Sequence, residues 1–134
     1  MIYILDASAM IAFLRAEPGG EVVREILQAD GNHIVAHSIN LCEVYYDFFR
    51  ADGEATAEEV LEDLFAAGVR ANEDISPQFY KAAGRIKADK RRISLADCFA
   101  VALAESIGGT VLTADHHEFD PLVGSLSAKI QFIR

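Results

Sequence analysis

Five short, β-prone runs separated by long stretches of helical period leave this chain few folds to choose from. The runs are Ile2–Leu5, His33–His37, Val69–Asp74, Thr110–Leu112 and Lys129–Ile133. The connections between the first four are too long for hairpins and long enough to hold helices, as parallel crossovers require. Their apolar spacing predicts helices over Ser8–Leu14, Glu21–Gln28, Asn40–Arg50, Glu58–Ala67, Pro77–Lys87 and Ser94–Ile107. Val22, Val23, Ile26 and Leu27 share one face of the second, and Leu95, Phe99, Ala102 and Leu103 form a stripe on the last. Breaks fall where they should, at Glu17-Pro18-Gly19-Gly20, Gly31-Asn32, Gly68 and Gly108-Gly109, with Ser76-Pro77 as a helix start. The expected fold is α/β and three-layered, a central parallel sheet of about five strands flanked by helices. No repeat, low-complexity stretch or linker interrupts it, so residues 1–134 are expected to form a single domain.

In such a sheet ligands gather outside the carboxyl ends of the strands. Four acids stand at element ends: Asp6 after the first run, Glu43 and Asp97 near helix starts, and Asp115 after Val111-Leu112-Thr113. Each has a structural role open to it. Asp6 can cap the Ser8 helix, and Glu43, in the expected first turn of its helix, is favoured there by the macrodipole. Ser94-Leu95-Ala96-Asp97 matches a capping box, and Asp115 can begin a turn. Together they imply more. Two like charges about 4 Å apart repel by roughly 4 kcal/mol at an effective dielectric of about 20. A cluster of four is therefore protonated or loaded with hard cations. Carboxylates suit magnesium or manganese, and two such ions can activate a water, clamp a phosphodiester and stabilise its leaving oxygen. Ser8 and Thr113, two residues from Asp6 and Asp115, can support a ligand carboxylate or serve in local turns.

Charge is unevenly spread. Lys81, Arg85, Lys87, Lys90, Arg91 and Arg92 are half of the twelve basic side chains, whereas Asp47 to Asp63 holds seven acids against one arginine. Both runs can be solvated surface. The basic window, which ends five residues before Asp97, can instead meet phosphates through Lys90, Arg91 and Arg92. The net charge of −9 argues against general attraction to nucleic acid. It does not argue against a nuclease, because bound divalent cations reverse the local sign.

Cys42 and Cys98 offer neither a disulfide framework nor zinc spacing, and both are expected to be small buried residues on helices. Adjacent His116 and His117 diverge on a regular element, which leaves zinc without a ligand set. An aspartyl phosphatase would want a second acid where Ser8 stands, and a phosphoreceiver would want paired acids and a late lysine. A binding module that captures RNA or protein remains a rival, although an inert scaffold has no need to hold four mutually repelling acids. Tyr45, Tyr46, Phe48 and Phe49 exceed what one core-facing stripe uses, so part of that helix is expected to meet a partner. The first residues lack the basic flank of a signal peptide and are too short to span a membrane, which predicts a soluble, cytoplasmic protein without membrane contact.

The segments Leu5-Asp6-Ala7-Ser8-Ala9, Asn40-Leu41-Cys42-Glu43-Val44, Ser94-Leu95-Ala96-Asp97-Cys98-Phe99-Ala100 and Leu112-Thr113-Ala114-Asp115-His116-His117-Glu118-Phe119 together resemble the PIN-domain ribonucleases. They are most similar to the VapC-type toxins of toxin–antitoxin pairs. The resemblance spans the chain in order. It implies a PIN-like fold, magnesium- or manganese-dependent cleavage of RNA, a cognate antitoxin and a homodimer. It also implies an acidic site of Asp6, Glu43, Asp97 and Asp115. Asp6, Glu43 and Asp97 would bind metal directly, and Asp115 would act through a second ion or a water. RNA-processing nucleases share these acids, so the resemblance leaves the choice between toxin and processing enzyme open.

Overall fold

In the computed structural model, which describes residues 1–134, the elements alternate as the periodicity requires. Strand β1 (Ile2–Leu5) is followed by α1 (Ala7–Leu14) and α2 (Gly20–Gln28), and β2 (His33–His37) by α3 (Ser38–Asp52) and α4 (Glu54–Ala66). Strand β3 (Val69–Asn72) leads to α5 (Pro77–Asp89) and α6 (Leu95–Ile107). Strand β4 (Thr110–Thr113) runs through α7 (His116–Phe119) and a single 3-10 turn, Asp120–Leu122, to β5 (Lys129–Phe132).

The strands pair in the order β3-β2-β1-β4-β5, parallel throughout. Side chains alternate across the sheet, so neighbouring residues on one strand serve opposite cores. Leu5, Ile34, Ala36 and Leu112 pack with α1 to α4, whereas Ile4 and Val111 pack with Phe79, Phe99 and Leu103 of α5 and α6. The result is three layers, helix–sheet–helix, as expected. Gly20 permits the tight entry into α2: a Cβ there would run into the Ala12 carbonyl at the end of α1. No helix is long and apolar enough to cross a membrane.

Chain direction across the sheet is what creates a site. From β1 the chain steps outward to β2 and β3, then returns over the other face to β4 on the opposite side of β1. The carboxyl ends of β1 and β4 therefore flank a switch point, the usual crevice of an open parallel sheet.

Several local expectations need correction. Helix α3 starts at Ser38, capped by His37, and not at Asn40, so Glu43 lies in its second turn and not its first. Asn40 is instead buried, and its amide Nδ2 donates to the Ala96 carbonyl of α6 at 3.2 Å. Only Cys98 is buried; Cys42 lies on the exposed face of α3. The link from β4 to β5, over which the apolar spacing predicts no helix, holds α7.

Candidate active site

Asp6 is the best-anchored acid. It ends β1 and caps α1, accepting the Ala9 N–H at 2.9 Å and the Ser8 hydroxyl at 2.7 Å on Oδ1. Its other oxygen takes the Thr113 hydroxyl from the end of β4. Each hydroxyl is used twice, since Ser8 Oγ accepts the Ala114 N–H at 2.9 Å and Thr113 Oγ1 accepts the Asp115 N–H at 3.0 Å. Ser8 and Thr113 thus lace β1 to β4 through one buried carboxylate.

Asp97 sits in the first turn of α6 and is 7% exposed. Its N–H donates to Ser94 Oγ at 3.2 Å, which is half of the expected capping box. The other half comes from elsewhere. The Ser94 N–H donates to Glu118 Oε1 at 3.0 Å, and the Glu118 N–H in turn donates to Asp115 Oδ1 at 3.0 Å. Asp115 caps α7 just as Asp6 caps α1, and its cap brings Glu118 onto the edge of α6. Carboxylate oxygens of Asp97, Asp115 and Glu118 lie within 4.8 Å of one another.

All four sequence-predicted acids line one cleft of about 280 Å³, with Ser8, Ser94, Asp47 and Glu118. Thr113 stands behind Asp6, fully buried. Glu118 was absent from the expected site. It lies three residues after Asp115, and a helical turn after β4 is the feature that would have revealed it. No lysine or arginine lines the cleft.

Uncompensated charge shows in the proton affinities. Burial raises Asp6 to about 6, against the downward pull of Thr113, Ser8 and Ala9, and the Asp115 charge adds to the rise. Asp97 is pushed up to about 10, first by burial, then by a hydrogen bond shared with Glu118, then by the charges of Asp6, Glu118 and Glu43. Glu43 is raised by burial and by Asp6 and Glu118. Glu118 Oε2 is buried with no fixed donor opposite it. Clustered hard oxygens, one of them orphaned, and no local cation form a donor set that fits a hard divalent ion.

The basic window stays outside the cleft. Lys87 Nζ donates to the Arg91 and Ile93 carbonyls at 2.8 Å each, holding the turn into α6. Arg91 and Arg92 are exposed on that turn, while Lys90 lines a separate hollow with Arg85, Asp89 and Glu105. Of the aromatic set on α3, Phe48 is buried beneath the Arg15 guanidinium and Tyr45 is half-buried. Tyr46 and Phe49 remain 46% and 45% exposed and, with Tyr45 and Arg50, line an apolar hollow next to the acids. No histidine joins a metal-ligand grouping. His116 stacks on Phe132 and bonds Asp120, and His37 is buried beneath α3.

With this geometry in place, similarity to known proteins is informative. The chain is 26% identical over 114 residues to a VapC ribonuclease of Mycobacterium bovis and to ribonuclease VapC42 of Mycobacterium tuberculosis, covering 81% of this chain and 87% of each relative. Its fold is similar to VapBC2 from Rickettsia felis bound to a promoter DNA fragment, with a TM-score of 0.75 at 17% identity over 98% of both chains. It is similar also to VapBC-1 from nontypeable Haemophilus influenzae, with a TM-score of 0.74 at 20% identity over 99% of this chain and 98% of that one. The PIN domain pattern matches residues 3–121, from β1 to beyond α7. The chain belongs to the PIN domain family.

Proposed function

We propose that this protein is a metal-dependent endoribonuclease, the toxin of a toxin–antitoxin pair. One observation carries the reading: at the switch point of a PIN fold, acids from β1, α3, α6 and α7 line one cleft that contains no basic side chain. The relatives named as VapC ribonucleases supply the reaction class. Residues 1–134 act as one PIN-like domain in this account, working in the cytoplasm on RNA.

Asp6, Glu43, Asp97 and Asp115, joined by Glu118, are the candidates to hold magnesium or manganese. When bound, such an ion supplies charge neutralisation, an activated water for in-line attack on phosphorus, and stabilisation of the leaving oxygen. Ser8 and Thr113 keep the Asp6 carboxylate in one orientation, so its oxygens need little reorganisation. Asp97 gives up its proton as the site loads, which makes loading favour higher pH. Lys90, Arg91 and Arg92 are assigned to RNA phosphates on the approach to α6.

The VapBC assemblies among similar folds support a cognate antitoxin as partner. We assign its contact to the exposed Tyr46 and Phe49 face of α3, which continues from the cleft rim. The homodimer is assigned by the family resemblance. Cleavage of RNA by the purified protein with manganese, abolished by chelator, tests the nuclease reading. Growth arrest on expression, relieved by the product of the adjacent gene, tests the toxin reading.

A further inference from the structure

Between elements that carry the site acids lies a buried ring that the metal chemistry does not use. His37 is 1% exposed and ends β2. Its Nδ1 accepts the Ile39 N–H at 3.1 Å, so the imidazole itself is the cap of α3. Its Nε2 lies 2.8 Å from the Asp74 carbonyl oxygen, on the loop between β3 and α5. A carbonyl only accepts, so Nε2 carries the proton, Nδ1 is bare, and the ring is neutral. Phe79 of α5 stacks on it at 5.2 Å and 6°, and Phe99 of α6 lies at 5.1 Å on a tilt.

One side chain therefore touches four parts of the fold. Two of them carry site acids: α3 holds Glu43, and Phe99 is two residues from Asp97 on α6. The Asn40–Ala96 hydrogen bond ties the same two helices three residues further along α3. Serine or asparagine would cap the Ile39 N–H as well or better. Neither would reach Asp74 while packing against both phenyl rings, which also meet each other at 5.8 Å. What histidine adds to the cap is a fixed distance between helices.

We propose that His37 is a positioning residue for the acidic site, wedging α3 between Asp74, Phe79 and Phe99 so that Glu43 is held in register with Asp97. The proposal rests on the metal-dependent nuclease reading for its kinetic and manganese-affinity consequences. His37→Phe keeps the stack and loses both hydrogen bonds, whereas His37→Asn keeps a cap acceptor and loses the wedge. Each variant is first shown to be folded by circular dichroism. Then manganese affinity is measured by titration, amide exchange is followed across α3, and kcat and KM are determined for RNA. The expected result for His37→Phe is manganese affinity about tenfold weaker and kcat lower by about tenfold or more, with KM unchanged. Amide exchange from Ile39 to Glu43 should quicken. His37→Asn should restore slow exchange at Ile39 without restoring kcat, and it carries the test alone if His37→Phe does not fold. A folded variant with kcat, manganese affinity and exchange all within about twofold of wild type overturns the proposal. So does a change in KM alone. If wild type cleaves no RNA the nuclease reading has failed, and the manganese titration with the exchange data decides this proposal by itself. A wild type that binds no manganese overturns both.

Discussion

Glu118 Oε1 accepts the backbone N–H of Ser94 at 3.0 Å, closing the cap of α6 from 24 residues away. In a capping box that bond belongs to the acid three residues into the helix, here Asp97. Because Glu118 takes the bond, the Asp97 carboxylate is left to the cleft. The same contact fixes Glu118 beside Asp97 and Asp115, so one hydrogen bond both caps a helix and assembles three acids.

Glu118→Gln separates those two duties. The amide oxygen can still accept the Ser94 N–H, so α6 should stay capped and melting of the metal-free protein should not fall, since a charge that repels Asp97 and Glu43 is gone. Manganese affinity and RNA cleavage should each fall by about tenfold or more. Glu118→Ala loses the cap as well, and its stability should drop by a further amount of about 1 kcal/mol, read from chemical denaturation. A Gln variant with full activity would remove Glu118 from the site.

Stability should depend on pH with a definite sign. Asp6 and Asp97 are raised to about 6 and about 10, above their values in an unfolded chain, so the folded state binds the extra protons. Their contribution is fully present below about pH 4 and is lost as pH rises, first through the Asp6 value and then toward that of Asp97. For Asp6 alone the loss is on the order of 3 kcal/mol between about pH 4 and pH 7. Melting of the metal-free protein should therefore fall from pH 5 to pH 8, and manganese should raise it more at pH 8 than at pH 5. Equal stabilisation by manganese at both pH values would contradict the charge balance described.

Thr113→Val keeps shape but removes the hydroxyl that joins Asp6 to the Asp115 N–H. A buried carboxylate oxygen losing its donor costs about 1–3 kcal/mol. Denaturation should show that loss, and the Asp6 carboxyl, followed by carbon NMR, should titrate higher than in wild type. An unchanged titration would mean that the Thr113 bond does not hold Asp6 in its ionised form.

Much of this was legible from sequence, for physical reasons that differ by element. The strands and helices announce themselves by period and by glycine breaks, and a parallel sheet follows from connection length. Asp6, Glu43, Asp97 and Asp115 were visible because strand ends and helix starts are where such a sheet gathers ligands. Glu118 was hidden because α7 has four residues, too few to show a period. The start of α3 was misplaced because histidine is an uncommon cap, so the polar Asn40 looked like the better candidate. Cys42 is exposed because it lies off the stripe that Leu41, Val44 and Phe48 bury, whereas its small apolar side chain suggested burial. The basic window looked uniform in sequence, yet Lys87 is engaged with two carbonyls while Arg91 and Arg92 are free.

Those two arginines make a separable prediction. Arg91→Glu with Arg92→Glu, placed in an inactive Asp6→Asn background, should weaken RNA binding by about tenfold at low salt and flatten its salt dependence. Folding should be unaffected, since both side chains are exposed. Unchanged affinity would show that RNA approaches the cleft by another path.

The most direct test is RNA cleavage by wild type, Asp6→Asn and Asp97→Asn, each assayed with magnesium, with manganese and with chelator. The carboxylate account predicts cutting by wild type with either metal, none with chelator, and at least about a hundredfold loss in both variants although they remain folded. Chelator-resistant cutting, or a fully active Asp6→Asn protein, would contradict it.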